Sequence, residues 1–234
     1  MENRTIVLAA GGTGGHIFPA ESLALELRAR GMSCVLITDN RYKNYVGNLQ
    51  QFDAYTIRTG TFSGGIRKKI SGLFNIFIGL YQSWRLLRKL NPSVVVGFGG
   101  YPSFPTMMVA IKMKLKTIIH EQNSLLGNTN HFLSGKVDVI ATSFQDVMGM
   151  DKDHKDKVIL VGNPVRPSIS SLREMQYPEL QEHGILRILV LGGSQGATVF
   201  SKVVPEAIAL LPANVRNRIR IDQQCRPNDI NETR

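Results

Sequence analysis

The hexapeptide Gly11-Gly12-Thr13-Gly14-Gly15-His16 stands between an apolar run and a helical pattern. Glycines at such a junction let the backbone turn sharply and approach a ligand closely. The helix that follows offers free N–H groups and the positive end of its dipole to an anion. Its default ligand is a phosphate. The dinucleotide fingerprint G-x-G-x-x-G is the other use of such a turn. Gly12 and Gly14 fit that spacing, but Ile17 stands where the third glycine belongs. The mismatch disfavours a nicotinamide cofactor, and Asp39, which would bind its ribose, reads as a strand-end turn residue. His16 is the first ionisable group after the glycines. An imidazole titrates near neutrality and can take a proton from a sugar hydroxyl. It can equally do no more than position backbone or phosphate.

Four further polar or glycine-rich segments follow apolar runs. GFGGYPSFP (97–105) reads as a close-approach loop in which Tyr101 offers a ring and a hydroxyl, or as a structural turn. HEQN (120–123) puts His120, Glu121, Gln122 and Asn123 where open parallel sheets bind ligands. GNPVRP (162–167) sets Arg166 between two prolines, and arginine is a natural partner for a diphosphate. GGSQGA (192–197) is a second phosphate-type turn with Ser194 at its centre. No zinc-like ligand spacing accompanies them, so no metal is expected.

These segments need elements to hold them. Strands are predicted at 5–10, 34–38, 94–97, 116–120, 137–142, 157–162, 187–193 and from 218, with helices at 18–30, 66–90, 104–113 and 197–211. Strands alternating with helices imply parallel sheets with crossover connections. LAAGGTGGH (8–16) and LVLGGSQGA (189–197) share a strand–glycine–helix pattern, which implies two Rossmann-like lobes. A polar stretch at 168–184 reads as the linker.

Composition narrows the class. A hydrophobic content of 43% and a charged content of 20% describe a globular protein with a real core. Two distant cysteines imply no disulfide framework and a reducing compartment, with Cys34 as a core thiol. The N-terminus runs directly into a strand and a glycine turn, so no signal peptide is expected. The net charge is +10, and the ten basic residues between Ala54 and His120 meet no Asp or Glu in that stretch. A localised basic face fits an anionic lipid or a nucleic acid, or is a solvated helix surface. Within it, residues 66–89 form an amphipathic, basic-capped helix with Ile70, Phe74, Phe77, Tyr81 and Trp84 on one stripe. Leu73, Ile76 and Leu80 widen the stripe. The apolar part is too short to span a bilayer. One face is expected on the core and the other at a lipid interface. No motif supports nucleic-acid binding.

In this order GGTGGH, GFGGYPS, HEQN, GNPVR and GGSQGA resemble the MurG family of bacterial glycosyltransferases, over essentially Thr5 to Leu211. The resemblance implies an α/β fold of GT-B type, with two Rossmann-like lobes of parallel sheets. The first, 1–164, is expected to face acceptor and membrane. The second, 165–234, is expected to be the incomplete start of a UDP-sugar lobe. The implied reaction is inverting transfer of N-acetylglucosamine from UDP-N-acetylglucosamine to an undecaprenyl-linked muramoyl-pentapeptide, without metal or cofactor. On the family pattern His16 matches the candidate general base. Thr13, Gly14, Gly15, Asn123, Arg166 and Ser194 match donor contacts, and Tyr101 and His120 match cleft residues near the acceptor. Phe74, Phe77, Leu80 and Trp84 match an apolar patch on an anionic membrane, which implies a peripheral position on the cytoplasmic face of the inner membrane. The alternative is a catalytically inactive remnant that binds only acceptor or membrane.

Overall fold

Runs of four to six residues with Val, Ile or Leu at their centre become parallel strands, and the central residues on both faces of those strands are apolar. The computed structural model describes residues 5–233 except 12, 45–46, 61–65, 180, 183 and 194–195. The side chains of 43, 44, 66–69, 152 and 232 are also outside the description. In chain order the first unit contains β1 (Ile6–Ala9), α1 (Gly14–Ala29), β2 (Cys34–Thr38), β3 (Ala54–Thr56), α2 (Ile66–Leu90) and β4 (Val94–Gly97). It continues with α3 (Gly100–Lys112), β5 (Lys116–Glu121), α4 (Asn128–Ser134), β6 (Val139–Thr142), β7 (Val158–Leu160) and α5 (Pro167–Ser170). The sheet order is β3-β2-β1-β4-β5-β6-β7. Every pairing in it is parallel.

The order reverses at β1, whose two neighbours are β2 and β4. Residues of one strand alternate between two cores. Val7, Ile37, Val95 and Ile119 enter one cluster with Leu87 and Met107, on the side of α2 and α3. Leu8, Leu36 and Val96 enter the other with Ile17, Ala20 and Ala24 of α1. Burial on both faces is what a parallel sheet under crossover helices requires. The Cys34 thiol is buried in the second cluster, and burial raises its pKa.

Helix α2 is bracketed by close backbone contacts. A Cβ at Gly79 would stand 2.0 Å from the Arg58 carbonyl oxygen, and one at Gly60 would stand 2.0 Å from that of Gly72. The helix ends where Asn91 takes a left-handed φ of 41° before Pro92, a stop that Asn tolerates.

The sequence pattern misplaces three features. The segment 100–103 is the first turn of α3 rather than loop, because Pro102 falls where a helix has no N–H to lose. Strand β3 and helix α4 were not expected: one has a single half-buried residue, and the other begins with polar Asn-Thr-Asn.

The chain divides into two compact units, Met1–Leu172 and Arg173–Arg234. The expected boundary at 164/165 precedes α5, which belongs to the first unit. The second unit contains β8 (Leu186–Val190), α6 (Thr198–Ala209), α7 (Ala213–Arg216), β9 (Ile219–Gln223) and α8 (Ile230–Thr233). Its two strands pair in parallel.

Candidate functional site

The switch point between β1 and β4 opens a crevice at the carboxyl end of the sheet, the usual ligand position in open α/β sheets. Two helices begin there. Helix α1 has no side-chain cap at Thr13 and no acidic residue in its first turn. Its Gly14 and Gly15 N–H groups have no partner among the described residues. Helix α3 begins after Gly99 with neither cap nor acid. Two uncapped starts face the crevice with positive dipole ends.

His16 lies in the first turn of α1, half-buried. Its ring packs against the turn that starts α3. A Cβ at Gly100 would stand 3.1 Å from its Cδ2 and 3.2 Å from its Nε2, and one at Gly99 would stand 3.4 Å from its Cε1. Both glycines have positive φ, 82° and 70°, which a side chain rarely adopts. The imidazole therefore requires glycine there on two counts. His16 Nδ1 donates to Gln122 Oε1 at 3.1 Å. Its Nε2 has no hydrogen-bond partner among the described residues.

Gln122 connects this histidine to a second one. Its Nε2 is 2.9 Å from His120 Nδ1, 3.0 Å from His120 O and 3.2 Å from Phe98 O. His120 is 4% exposed, and its Nε2 donates to Gly162 O at 3.1 Å. Burial holds the His120 pKa below the ordinary histidine value, against the opposing hydrogen bond to Gly162 and the charge of Glu121. His120 is thus a neutral ring with both nitrogens engaged. It is not open to an acceptor hydroxyl, in contrast to the cleft position expected for it.

Glu121 is buried and organises the next turn. Its Oε1 accepts from Asn123 N and Nδ2, both at 3.0 Å. Its Oε2 accepts from Gly127 N at 3.0 Å and Asn130 Nδ2 at 2.9 Å. Asn123 is exposed, and the tie to Glu121 fixes its orientation, with no partner for its carbonyl oxygen among the described residues. Asn130 Nδ2 also donates to His120 O at 3.1 Å. Sequence reasoning missed Asn130 because it sits in the unexpected α4.

Thr13 and Gly15 are exposed and Gly14 is half-buried at the start of α1. The Arg166 guanidinium lies over the Phe18 ring, 4.3 Å from its centroid. Phe18 also closes on Gly14, where a Cβ would stand 2.8 Å from Phe18 Cε2. One ring thereby sets both the arginine and the glycine turn. The attraction between guanidinium and ring face holds a cation near the helix start. Tyr101 is exposed on the first turn of α3. Asp39 is bound to Arg41 at 2.6 Å and serves the turn after β2. Ser194 lies outside the described residues. His16, Gln122 and His120 thus form one chain of contacts, and Gly14 and Arg166 both pack on Phe18. No cluster of His, Cys, Asp or Glu suited to a metal occurs among the described residues.

The second candidate surface is α2. Phe74, Phe77, Tyr81 and Trp84 are 64%, 62%, 57% and 40% exposed, with Ile70 and Leu73 beside them. Arg88 lies 5.0 Å over the Trp84 ring. Ile76 and Leu87 are buried, and Leu80 packs against the core, so Leu80 does not belong to the exposed patch expected of it. Leu80 is three and four residues from Phe77 and Trp84, yet it lies on the inner side of the helix. No helix among the described residues is long and apolar enough to cross a membrane.

The family model for the glycosyltransferase family 28 N-terminal domain matches residues 6–142. A protein from Zymomonas mobilis named UDP-N-acetylglucosamine–N-acetylmuramyl-(pentapeptide) pyrophosphoryl-undecaprenol N-acetylglucosamine transferase is 44% identical over 232 residues, 99% of this chain and 60% of that protein. The protein of the same name from Rhodospirillum centenum is 45% identical over 234 residues, 100% of this chain and 62% of its own length. The chain thus spans about 60% of the length of these relatives. The crystal structure of MurG from Acinetobacter baumannii superposes with a TM-score of 0.67 at 26% identity, covering 98% of this chain and 62% of that one. The parallel sheets are accordingly those of a GT-B type fold.

Proposed function

The chain belongs to glycosyltransferase family 28, and on that premise we propose that its protein moves N-acetylglucosamine from UDP-N-acetylglucosamine to an undecaprenyl-linked muramoyl-pentapeptide. The observation that carries this reading is His16: half-buried, anchored through Nδ1, with a bare Nε2 beside two uncapped helix starts.

The chemistry is a direct displacement. The acceptor's 4-hydroxyl oxygen forms the new bond to carbon 1 of the sugar while the bond from carbon 1 to the diphosphate oxygen breaks. The hydroxyl proton passes to His16 Nε2, and the electron pair leaves with UDP. Attack opposite the leaving group inverts the anomeric carbon and gives a β-1,4 link. Negative charge growing on the diphosphate is stabilised by the free N–H groups of Gly14 and Gly15, the α1 dipole and Arg166. Thr13 and Asn123 are assigned to the donor as well, Ser194 on the family pattern alone, and Tyr101 to the acceptor side.

The exposed aromatic face of α2, with Arg85, Arg88 and Lys89 around it, would rest on an anionic membrane surface on the cytoplasmic side. Aromatic rings at the interface and a basic rim are the features of a helix lying in the membrane plane. This brings the crevice to a substrate that cannot leave the lipid.

The test is transfer of radiolabelled N-acetylglucosamine from its UDP donor to a short-chain analogue of the lipid acceptor. Formation of the β-1,4 disaccharide is expected. Absence of product with both substrates bound would overturn the catalytic reading.

A further inference from the structure

We propose that Gln122 is a positioning residue that locks His16 as its Nδ1–H tautomer, so that Nε2 is the basic nitrogen presented to the crevice. This rests on the reading of His16 as the proton acceptor but is measured independently of it.

Hydrogen-bond polarity fixes the amide. The side-chain nitrogen of Gln122 faces the carbonyl oxygens of Phe98 and His120, at 3.2 Å and 3.0 Å. Both are acceptors only, so the atom facing them must be the NH₂ group. The flipped amide would set oxygen against two oxygens. The amide orientation is thereby fixed by backbone that has no alternative. Oε1 is then the atom 3.1 Å from His16 Nδ1, and an amide oxygen only accepts. His16 must carry its proton on Nδ1.

The NH₂ end of the amide fixes the second histidine in the same way. Gly162 O is an acceptor, so His120 carries its proton on Nε2 and turns a bare Nδ1 towards the Gln122 NH₂ group. The two histidines therefore adopt opposite tautomers, set by one amide between them. His120 contributes by staying neutral: a protonated ring would set an N–H against the NH₂ group and drive Gln122 out of place. Gly99 and Gly100 complete the device, because their missing side chains leave the His16 ring in this orientation. The result resembles the third-group logic of nucleophile–base–orienter sites, with an amide and a second histidine in place of a carboxylate. A neutral orienter fixes direction without adding a charge next to the diphosphate.

The experiment is long-range proton–nitrogen correlation of the imidazoles in the ¹⁵N-histidine-labelled chain at pH 8, with His16→Gln and His120→Gln used to assign the two rings. Wild type is expected to show His16 protonated on Nδ1 and His120 on Nε2. Gln122→Met, which keeps the length and removes both polar ends, is expected to move His16 to the Nε2–H form or a mixture. The His120 Nε2–H pattern should persist there, which shows that the fold is intact. A wild-type His16 protonated on Nε2 overturns the proposal, and so does an unchanged His16 pattern in Gln122→Met. Turnover unaffected by His16→Ala would overturn the catalytic reading while leaving the tautomer result standing, so the two failures are distinct.

Discussion

At the end of β5 the polar groups are engaged: the Glu121 carboxylate accepts four hydrogen bonds, and both His120 nitrogens have partners inside the protein. At the end of β1, two strands away in the same sheet, the Gly14 and Gly15 N–H groups and His16 Nε2 have none among the described residues. Both regions lie at the carboxyl ends of buried parallel strands, with His16 in the first turn of α1 and His120 near the end of β5. The difference is what lies opposite each group. His120, Glu121 and Gln122 meet backbone, from Gly162, Gly127 and Phe98, while Asn123 stays exposed. At the glycine turn no hydrogen-bonding group among the described residues lies opposite the Gly14 and Gly15 N–H groups or His16 Nε2. Residue type identifies a polar loop, but only the surrounding backbone decides whether that loop holds the fold or holds a ligand.

The contrast is sharpest at His16. His16→Ala is expected to lower transfer turnover by roughly 10²–10⁴, with little change in the denaturation midpoint. Unchanged turnover in the labelled-sugar assay would remove the distinction between the two loops. Glu121→Ala should do the reverse in kind. It leaves Asn123 N, Gly127 N and Asn130 Nδ2 without their acceptor, at about 2–4 kcal/mol of stability in urea unfolding. A loss near zero would mean that the carboxylate is not the organiser of that turn.

Gly100→Ala sets one loop against the other. A methyl group there adopts a left-handed φ of 70° and meets the His16 ring at about 3.1 Å. About 1–2 kcal/mol of stability is expected to be lost from the backbone. Turnover should fall as well, since the ring must shift. Stability falling with turnover intact would show that His16 tolerates displacement.

The pH dependence distinguishes the histidines more finely. His120 has a folded pKa below its unfolded value, so between the two the unfolded chain holds the extra proton. Stability is therefore full above the ordinary histidine range, about pH 6.5, and declines as the pH falls through it, by at most about 1.4 kcal/mol per unit. Urea midpoints between pH 8 and 5 should show this slope, and His120→Gln should lack it. The smallest effect on the fold belongs to α2. Phe77→Asp is expected to change stability by under about 0.5 kcal/mol while clearly reducing sedimentation with anionic vesicles.

Most strands of the sheet were legible in the sequence, because parallel strands buried on both faces appear as unbroken apolar runs, but their order was not. Cys34–Thr38 and Val94–Gly97 begin and end where their residues say. Ala54–Thr56 could not be read this way: at the sheet edge it needs no apolar run. The stripe of aromatics on α2 was visible, but not its direction. Gly79 and Leu87 turn the other face inward, and that depends on which side of the helix meets Arg58 and the sheet. In the site, the importance of His16 could be named from the glycine turn. The engagement of His120 could not, since its partner Gly162 is 42 residues away.

The pairing of His16 with Gln122 bridges 106 residues, and this has a meaning in time during synthesis. At roughly 5–20 residues per second on a ribosome, the histidine emerges about 5–20 s before the amide that orients it. Its companion His120 then waits a few seconds more for Gly162. The glycine turn and α1 can be in place early, yet the nascent chain has no oriented base until β5 has joined β4. Assembly of the sheet thus acts as a clock for the site, and a chain released before Gly162 would carry the motif without the geometry.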